Sequence, residues 1–418
     1  MNFQLLLFDL DNTLLRTDAV EQFRGNLGLN PPPNYVHELT AQLAHVVPIY
    51  TYGMLHNIHT KYPQLKFGVF TRSPRAYTNT LLRAFYPKLP WDTVICFEDV
   101  PGRTKPHPDG IWMAMQATEV KDIRQVVMVG DNSKDIMAAY RAGVWAFLDR
   151  TSWTADNKDK WRSNDSIADA DFRQPETLLD ALENPSAHLP CLERLVYEGK
   201  DFEGHGRRIE VRHFDNVDRR PFVKVEVLGR RFKKCDEFQH RSSWHIVSQQ
   251  IVALKEAQVF PWEWIFALRK AIRSDMNFMF QGHNVVTVIP SKPGQTPRLE
   301  SLLMQLAASH AENPIFKASP SPFLPPPGPN KLLFVPDQLF YLNGVKSNSR
   351  DHLDGPARMI NVRDHLRVNA NRLVTGRNVM VIDDVTTSGA TLLNAHHYLM
   401  AAGARTVKLV SMTQAISP

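Results

Sequence analysis

The chain has 418 residues, 43% of them hydrophobic and 22% charged, with a formal net charge of +6, so a globular chain of two or three domains is expected and no internal repeat is evident. Its three cysteines, Cys96, Cys191 and Cys235, stand far apart, which excludes a legible disulfide framework or cysteine-rich zinc module and fits a reducing cytoplasm. No apolar stretch nears the roughly 20 residues that span a bilayer, and the N-terminus lacks a secretory pattern, so neither membrane insertion nor secretion is expected.

In chain order, Phe3 to Leu10 is apolar except for Gln4 and ends in Asp9-Leu10-Asp11-Asn12-Thr13. Side chains alternate along a strand, so Asp9 and Asp11 leave on one side, near the carboxyl end where open α/β sheets place ligands. Such a pair can hold a divalent cation and divide nucleophilic and proton-transfer work. Residues 14–64 supply at most two or three helices, around Asp18–Leu27 and Tyr35–Lys61. Leu65 to Phe70 reads as a strand running into Thr71-Arg72-Ser73, which offers a hydroxyl and backbone donors to a phosphoryl oxygen. Lys105 is a cation held among prolines. Val126 to Val129 is a further buried strand ahead of Gly130-Asp131-Asn132-Ser133-Lys134-Asp135, whose acids complete an oxygen-rich magnesium site. Each element alone has a plain reading, since a strand-terminal Asp often caps a turn and a lone Lys is usually solvated.

In this order the four stretches resemble the haloacid dehalogenase superfamily of aspartyl-phosphate phosphatases over about residues 3–150. The resemblance implies Asp9 as nucleophile, Asp11 as general acid/base, Thr71 and Lys105 as phosphoryl ligands, and Mg2+ at Asp9, Asp11, Asp131 and Asp135, with a phosphate monoester as substrate. Family members with a helical cap insert it between the first two elements. Residues 14–64 make a small one, which leaves the pocket open to a large substrate or to a lid from another domain.

Beyond Leu148 the pattern loosens, and Asn184-Pro185-Ser186 marks a domain boundary. Residues 205–241 hold eleven Lys/Arg against six Asp/Glu. Within them Phe222 to Leu228 alternates as a half-buried strand does. Solvated surface is the leading reading of this basic region, with an anionic-substrate patch and nucleic-acid contact as alternatives. Trp244 to Lys255 and Trp262 to Ile272 read as helices, the second with Trp262, Ile265, Phe266, Arg269 and Ile272 at core spacing.

Val285 to Ile289 then runs into Pro290-Ser291-Lys292-Pro293-Gly294 and a helix from about Arg298 to His310. Ser319 to Pro329 is too proline-dense for helix or sheet. After a strand at Leu332 to Val335 comes a polar segment, Asn343 to Arg363. Val379 to Thr391 closes the series as a buried strand, two adjacent acids, a hydroxyl-rich loop and a helix start. Unpaired N–H groups of the first helical turn, with Thr386, Thr387, Ser388 and Thr391, make a cup for one phosphate. Asp383 and Asp384 are placed to accept from a vicinal diol, so the stretch describes a ribose 5-phosphate. A generic strand-to-helix turn with an acidic end is the plain alternative.

This last stretch resembles the PRPP-binding motif of the type I phosphoribosyltransferases, with Asp383, Asp384, Thr387, Gly389 and Thr391 on its usual positions. The resemblance implies a pyrophosphate loop at Ser291 and Lys292 and a mobile loop over Asn343–Arg363. The spacing of Leu353, Arg358, Asn361 and Val362 resembles the ComF-like branch, associated with competence and DNA uptake; ComF proteins usually begin with a cysteine-rich zinc module that this chain lacks.

The expected fold class is therefore α/β, with two mainly parallel-sheet, three-layer domains, Rossmann-like and then of phosphoribosyltransferase type. The expected domains are a hydrolase at 1–183, a basic intermediate region at 184–282 that can belong to the transferase, and the transferase-like domain at 283–418. The expected function is a magnesium-dependent phosphatase joined to a PRPP-using transferase, with a PRPP-sensing or nucleic-acid-binding module as the alternative. A homo-oligomer is expected.

Overall fold

Four consecutive apolar residues, Leu5–Phe8, form a strand (β1) with every side chain buried. A strand with no polar face belongs inside a parallel sheet, and β1 has parallel partners on both sides. The other strands of its sheet are Lys66–Phe70 (β2), Thr93–Ile95 (β3), Val126–Gly130 (β4), Trp145–Asp149 (β5) and Ala170–Phe172 (β6). Their order is β3-β2-β1-β4-β5-β6, and every pairing is parallel. The helices Arg75–Phe85 (α1), Asp109–Ala117 (α2) and Ser133–Ala142 (α3) belong to the same layers, α3 against β4 and β5. The computed structural model describes residues 2–154, 160–215, 217–275, 277–278, 283–316, 331–346, 354–369 and 374–418.

The chain forms two units: Met1–His188 with Lys234–Trp244 and the terminal Pro418, and Leu189–Lys233 with His245–Ser417. A short helix far along the chain, Gln239–Trp244 (α4), belongs to the first unit through one residue above all. The Arg241 guanidinium donates to the Asp169 carboxylate and to the Val144 carbonyl (2.9 Å), and it lies over the Trp244 ring at 4.1 Å. Trp244 adds a bond from its indole N–H to the Gly143 carbonyl (2.8 Å).

Between β1 and β2 the insert is more broken than the periodicity predicts. It holds a 3-10 turn at Asp18–Phe23, helices at Asn26–Leu29, Tyr35–Ala41 and Tyr52–Lys61, and a two-stranded ribbon of Leu15–Arg16 with Val47–Pro48. Gly25, at φ 65°, divides the first expected helix, and the Val46-Val47-Pro48 run divides the second because proline has no N–H to continue it.

The second unit carries a seven-stranded sheet of Ile209–His213 (β7), Val223–Val227 (β8), Arg230–Phe232 (β9), His283–Val288 (β10), Lys331–Phe334 (β11), Asn378–Thr386 (β12) and Thr406–Ile416 (β13). Its path is β11-β10-β12-β13-β8-β7, with β9 also on β13, and only β7 and β8 pair antiparallel. The basic region thus contributes three strands. Lys224 is exposed and pairs across β7 with Glu210 (3.3 Å), as a solvated edge does. Helices of this unit include Ile246–Ala253 (α5), Trp262–Arg273 (α6), Arg298–Glu312 (α7) and Ala390–Ala401 (α8), with a further one at Gly355–His365.

Two helix readings are corrected. The helix expected over Trp244–Lys255 breaks at His245, whose ring nitrogen accepts the Ser248 N–H (3.2 Å) and caps α5. In α6 the fully buried tryptophan is Trp264, while Trp262 is 39% exposed, so the buried face is Trp264, Ile265, Leu268 and Ile272. The proline-dense Ser319–Pro329 and Leu353 lie outside the described residues. Among the described residues no helix is long and apolar enough to cross a membrane.

Asp169→Ala leaves the Arg241 charge buried without its carboxylate. The variant should lose about 3 kcal/mol or more of first-unit stability in urea unfolding; a loss below about 1 kcal/mol would show that the Arg241–Asp169 pair is not what holds α4.

Candidate functional site

Two adjacent parallel strands bring the first set of acids together. Asp9 follows β1 and its N–H donates to the Val129 carbonyl of β4 (2.9 Å), while Asp131 follows β4 directly, so both acids emerge at the carboxyl end of the sheet. Asp135 comes from the first turn of α3, where one of its oxygens accepts the Asn132 N–H (3.2 Å) in a capping box. One oxygen from each of Asp9, Asp131 and Asp135 lies within 4.8 Å of the others, and all three residues are buried.

A single cation joins this trio. Lys105 Nζ donates to Asp9 and to Asp135 Oδ1 (2.6 Å), with its side chain 1% exposed and the Phe70 ring beneath it at 5.3 Å. Two bare Cα positions make room. A Cβ at Gly130 would lie 2.2 Å from the Asp135 carboxyl carbon, and one at Gly110 would lie 2.2 Å from the Phe70 ring.

The electrostatics follow from burial of like charges. Desolvation, helped by the Asp135 and Asp11 charges, pushes the Asp9 carboxyl up to about 7 against the pull of Lys105. Burial, then Asp135 and Asp9, raise Asp131 well above the usual carboxylate range. Burial works to lower the Lys105 ammonium, but Asp135 and Asp9 outweigh it and hold it charged. Three oxygen donors with one ammonium between them make a set that a hard divalent cation would complete.

Asp11 is not in this trio, unlike the expectation that placed it at the metal. Its carboxylate accepts from the Thr17 hydroxyl (2.7 Å), the Tyr77 hydroxyl (3.0 Å) and the Ser73 hydroxyl, and it pairs with Arg24 (2.6 Å). Thr71 is buried just past β2; its N–H donates to the Ile95 carbonyl (3.0 Å) and its hydroxyl accepts the Ser73 N–H (3.0 Å). Arg24, Thr17 and Tyr77 escaped the sequence reading because each meets Asp11 only through the folded chain, from the insert or from α1 beyond it. Ser73 stood in the stretch already singled out.

In the second unit β12 runs two residues past the acid pair, to Thr386. Asp383 is buried, and burial with the neighbouring Asp384 charge raises it well above its ordinary value. Asp384 is bound by the Arg298 guanidinium. Thr387 is exposed and Ser388 half-exposed ahead of Gly389, which takes φ 70° at the start of α8. The Thr391 hydroxyl meets Tyr341, whose own hydroxyl is pushed above its usual range by burial and Asp383.

Three residues expected to face a ligand are engaged within the protein. Thr386 is buried with its hydroxyl 3.2 Å from His213 Nε2, and a Cβ at Gly389 would lie 2.1 Å from that same ring. Burial holds the His213 imidazole neutral by lowering it to about 4. Ser291 is bonded to Glu300, and the Lys292 ammonium to the Lys346 carbonyl. No periodicity signals His213, Glu300 or Tyr341; Arg298 was legible only as the start of a helix.

Residues 32–148, within the first unit, match the family model of haloacid dehalogenase-like hydrolases. Thr71, Lys105, Asp131 and Asp135 lie inside that segment, and Asp9 and Asp11 precede it. No curated protein matches the chain. Among solved structures it is similar to a Clostridium difficile protein assigned as a phosphatase (19% identity, 44% of this chain and 99% of that one, TM-score 0.33). A Haemophilus somnus 129PT protein assigned as a phosphoglycolate phosphatase gives 17%, 43%, 98% and 0.32 in the same terms. A hydrolase from Pseudomonas syringae gives 17%, 43%, 98% and 0.31.

Because Asp9 is raised from 3.8 to about 7, the folded protein holds a proton that the unfolded chain gives up, so this group's contribution to stability is lost as pH rises across that interval. In protein stripped of divalent ions the melting temperature should fall from pH 4 towards about 7, and Asp9→Asn should flatten the slope. An equal slope in parent and variant would contradict the electrostatics described.

Proposed function

We propose that the first unit is a magnesium-dependent phosphate-monoester hydrolase with Asp9 as its nucleophile. The observation that carries this reading is the buried trio of Asp9, Asp131 and Asp135, two of them bound to Lys105, in a chain whose residues 32–148 match the haloacid dehalogenase-like hydrolase family. The donor set fits Mg2+, since it is all oxygen, buried and short of positive charge. Bound there, the ion would neutralise the carboxylates and the phosphoryl oxygens.

The remaining chemistry belongs to the chain. The Asp9 carboxylate attacks phosphorus as the ester P–O bond breaks, and Asp11, once it has taken up a proton from solvent, gives that proton to the departing oxygen. Asp11, now a carboxylate, takes a proton from the water that attacks the aspartyl-phosphate; inorganic phosphate leaves and both acids are restored. Lys105 and the Thr71 hydroxyl hold the phosphoryl oxygens as charge builds on them.

For the second unit we propose a ComF-like type I phosphoribosyltransferase domain that binds PRPP. The 5-phosphate would sit at Thr387–Thr391, the ribose diol at Asp383 and Asp384, and the pyrophosphate beside Ser291 and Lys292, to be exchanged for a base-like nucleophile. The exposed hydroxyls before Gly389 and the adjacent acid pair support this reading. Its product would be a nucleoside 5′-monophosphate, itself a phosphate monoester that the first unit can hydrolyse. A second reading, PRPP sensing without turnover, is favoured by Arg298 on Asp384 and Glu300 on Ser291, which occupy groups that turnover needs.

Asp9→Asn should remove monoester hydrolysis while leaving the protein folded, because the amide has nearly the same size and is no nucleophile. With PRPP and a mixture of bases, the parent should release nucleoside and phosphate while Asp9→Asn accumulates the nucleotide. The same nucleotide accumulating in both would separate the two activities. Asp383→Ala with Asp384→Ala should abolish the rise in melting temperature that PRPP gives the parent by mass action; an undiminished rise would place PRPP elsewhere.

A further inference from the structure

The donors beside β10 are already closed by a carboxylate. Ser291 N–H donates to Glu300 Oε1 (2.7 Å), and the Ser291 hydroxyl stands 2.9 Å from Glu300 Oε2 and 3.0 Å from the Thr296 carbonyl. An N–H and an O–H converging on a pair of anionic oxygens is the arrangement that would also close on a phosphate. The position of Glu300 explains why it reaches there. It is the third residue of α7, where a glutamate usually bonds back to the N-cap N–H, but the N-cap is Pro297, which has none.

Glu300 also borders open space. With Pro297, Ser301, Met304 and Pro336 it lines a groove of about 430 Å³. The loop at Thr387–Gly389 and the Asp383–Asp384 pair lie on β12 and the start of α8, and no hydrogen bond joins them to Glu300 among the described residues.

We infer that Glu300 is a built-in competitor for the pyrophosphate end of the ligand, and so sets the preference of this site between PRPP and ribose 5-phosphate. The inference rests on the PRPP reading of the second unit. PRPP must displace the carboxylate from Ser291, so its affinity is reduced by the fraction of molecules in which those donors are open. A ligand that ends in a bare ribose uses only the phosphate loop and the diol acids, and it leaves the Glu300 carboxylate on Ser291.

The test is calorimetric titration of the full chain with PRPP and with ribose 5-phosphate, each with magnesium, for the parent, Glu300→Ala and Glu300→Gln. Glu300→Ala should bind PRPP roughly tenfold more tightly and leave ribose 5-phosphate within about twofold. Glu300→Gln should move the same way by less, since its amide oxygen still accepts but carries no charge. Melting of each unliganded variant checks the fold, and Glu300→Gln carries the test if the alanine variant unfolds. Equal shifts for both ligands, an unchanged PRPP affinity or a weaker one would make Glu300 a bracket between loop and helix and overturn the inference alone. A parent that binds neither ligand would overturn the PRPP reading and this inference with it.

Discussion

Three buried carboxylates within 4.8 Å of one another, with one lysine to balance them, are the constraint on which the first unit turns. Bringing like charges into a medium of low dielectric is costly, and real sites relieve that cost by protonation, by pairing or by binding a cation. Here burial raises Asp9 and Asp131 so that they hold protons more readily, and Lys105 pairs with Asp9 and Asp135. The surrounding packing serves that cluster. Gly130 lets the Asp135 carboxyl sit against the strand, and Gly110 lets the Phe70 ring lie under the ammonium. A methyl group at either glycine would displace part of the charge constellation.

The second unit meets a related problem with a different arrangement. Of its adjacent acids Asp384 is bound by Arg298, while Asp383 stays buried and raised. Neutral His213 fills the space behind Gly389 and meets the Thr386 hydroxyl, so the loop rests on a group that stays uncharged near neutral pH. The cluster of the first unit sets one lysine against three acids; in the second, Asp384 is met by Arg298 and Ser291 by Glu300 before any ligand arrives.

Much of this was legible in the chain. Runs such as Leu5–Phe8 and Val126–Gly130 have no polar face, so burial and parallel pairing followed from composition, and the acids after each run were placed at the sheet's carboxyl end by alternation alone. The parts that escaped depend on contacts distant in sequence. Arg24 and Tyr77 meet Asp11 across 13 and 66 residues, and Arg241 meets Asp169 across 72. None of these separations leaves a periodic trace. The break at His245 was hidden because apolar spacing runs on through it, although the chain passes there from one unit to the other. Glu300 was hidden by its ordinary place in a first helical turn, where only the proline at the N-cap hints that its carboxylate is available.

The central claim, that Asp9 takes the phosphoryl group, is tested most directly by trapping. The protein is mixed with a phosphate monoester and magnesium, quenched in acid within the first turnover, and its peptides are weighed by mass spectrometry. The account predicts one added phosphoryl group on the peptide containing Asp9, discharged when the mixture is left to turn over. Hydrolysis with no covalent phosphate on the protein, or with phosphate on another residue, would contradict it.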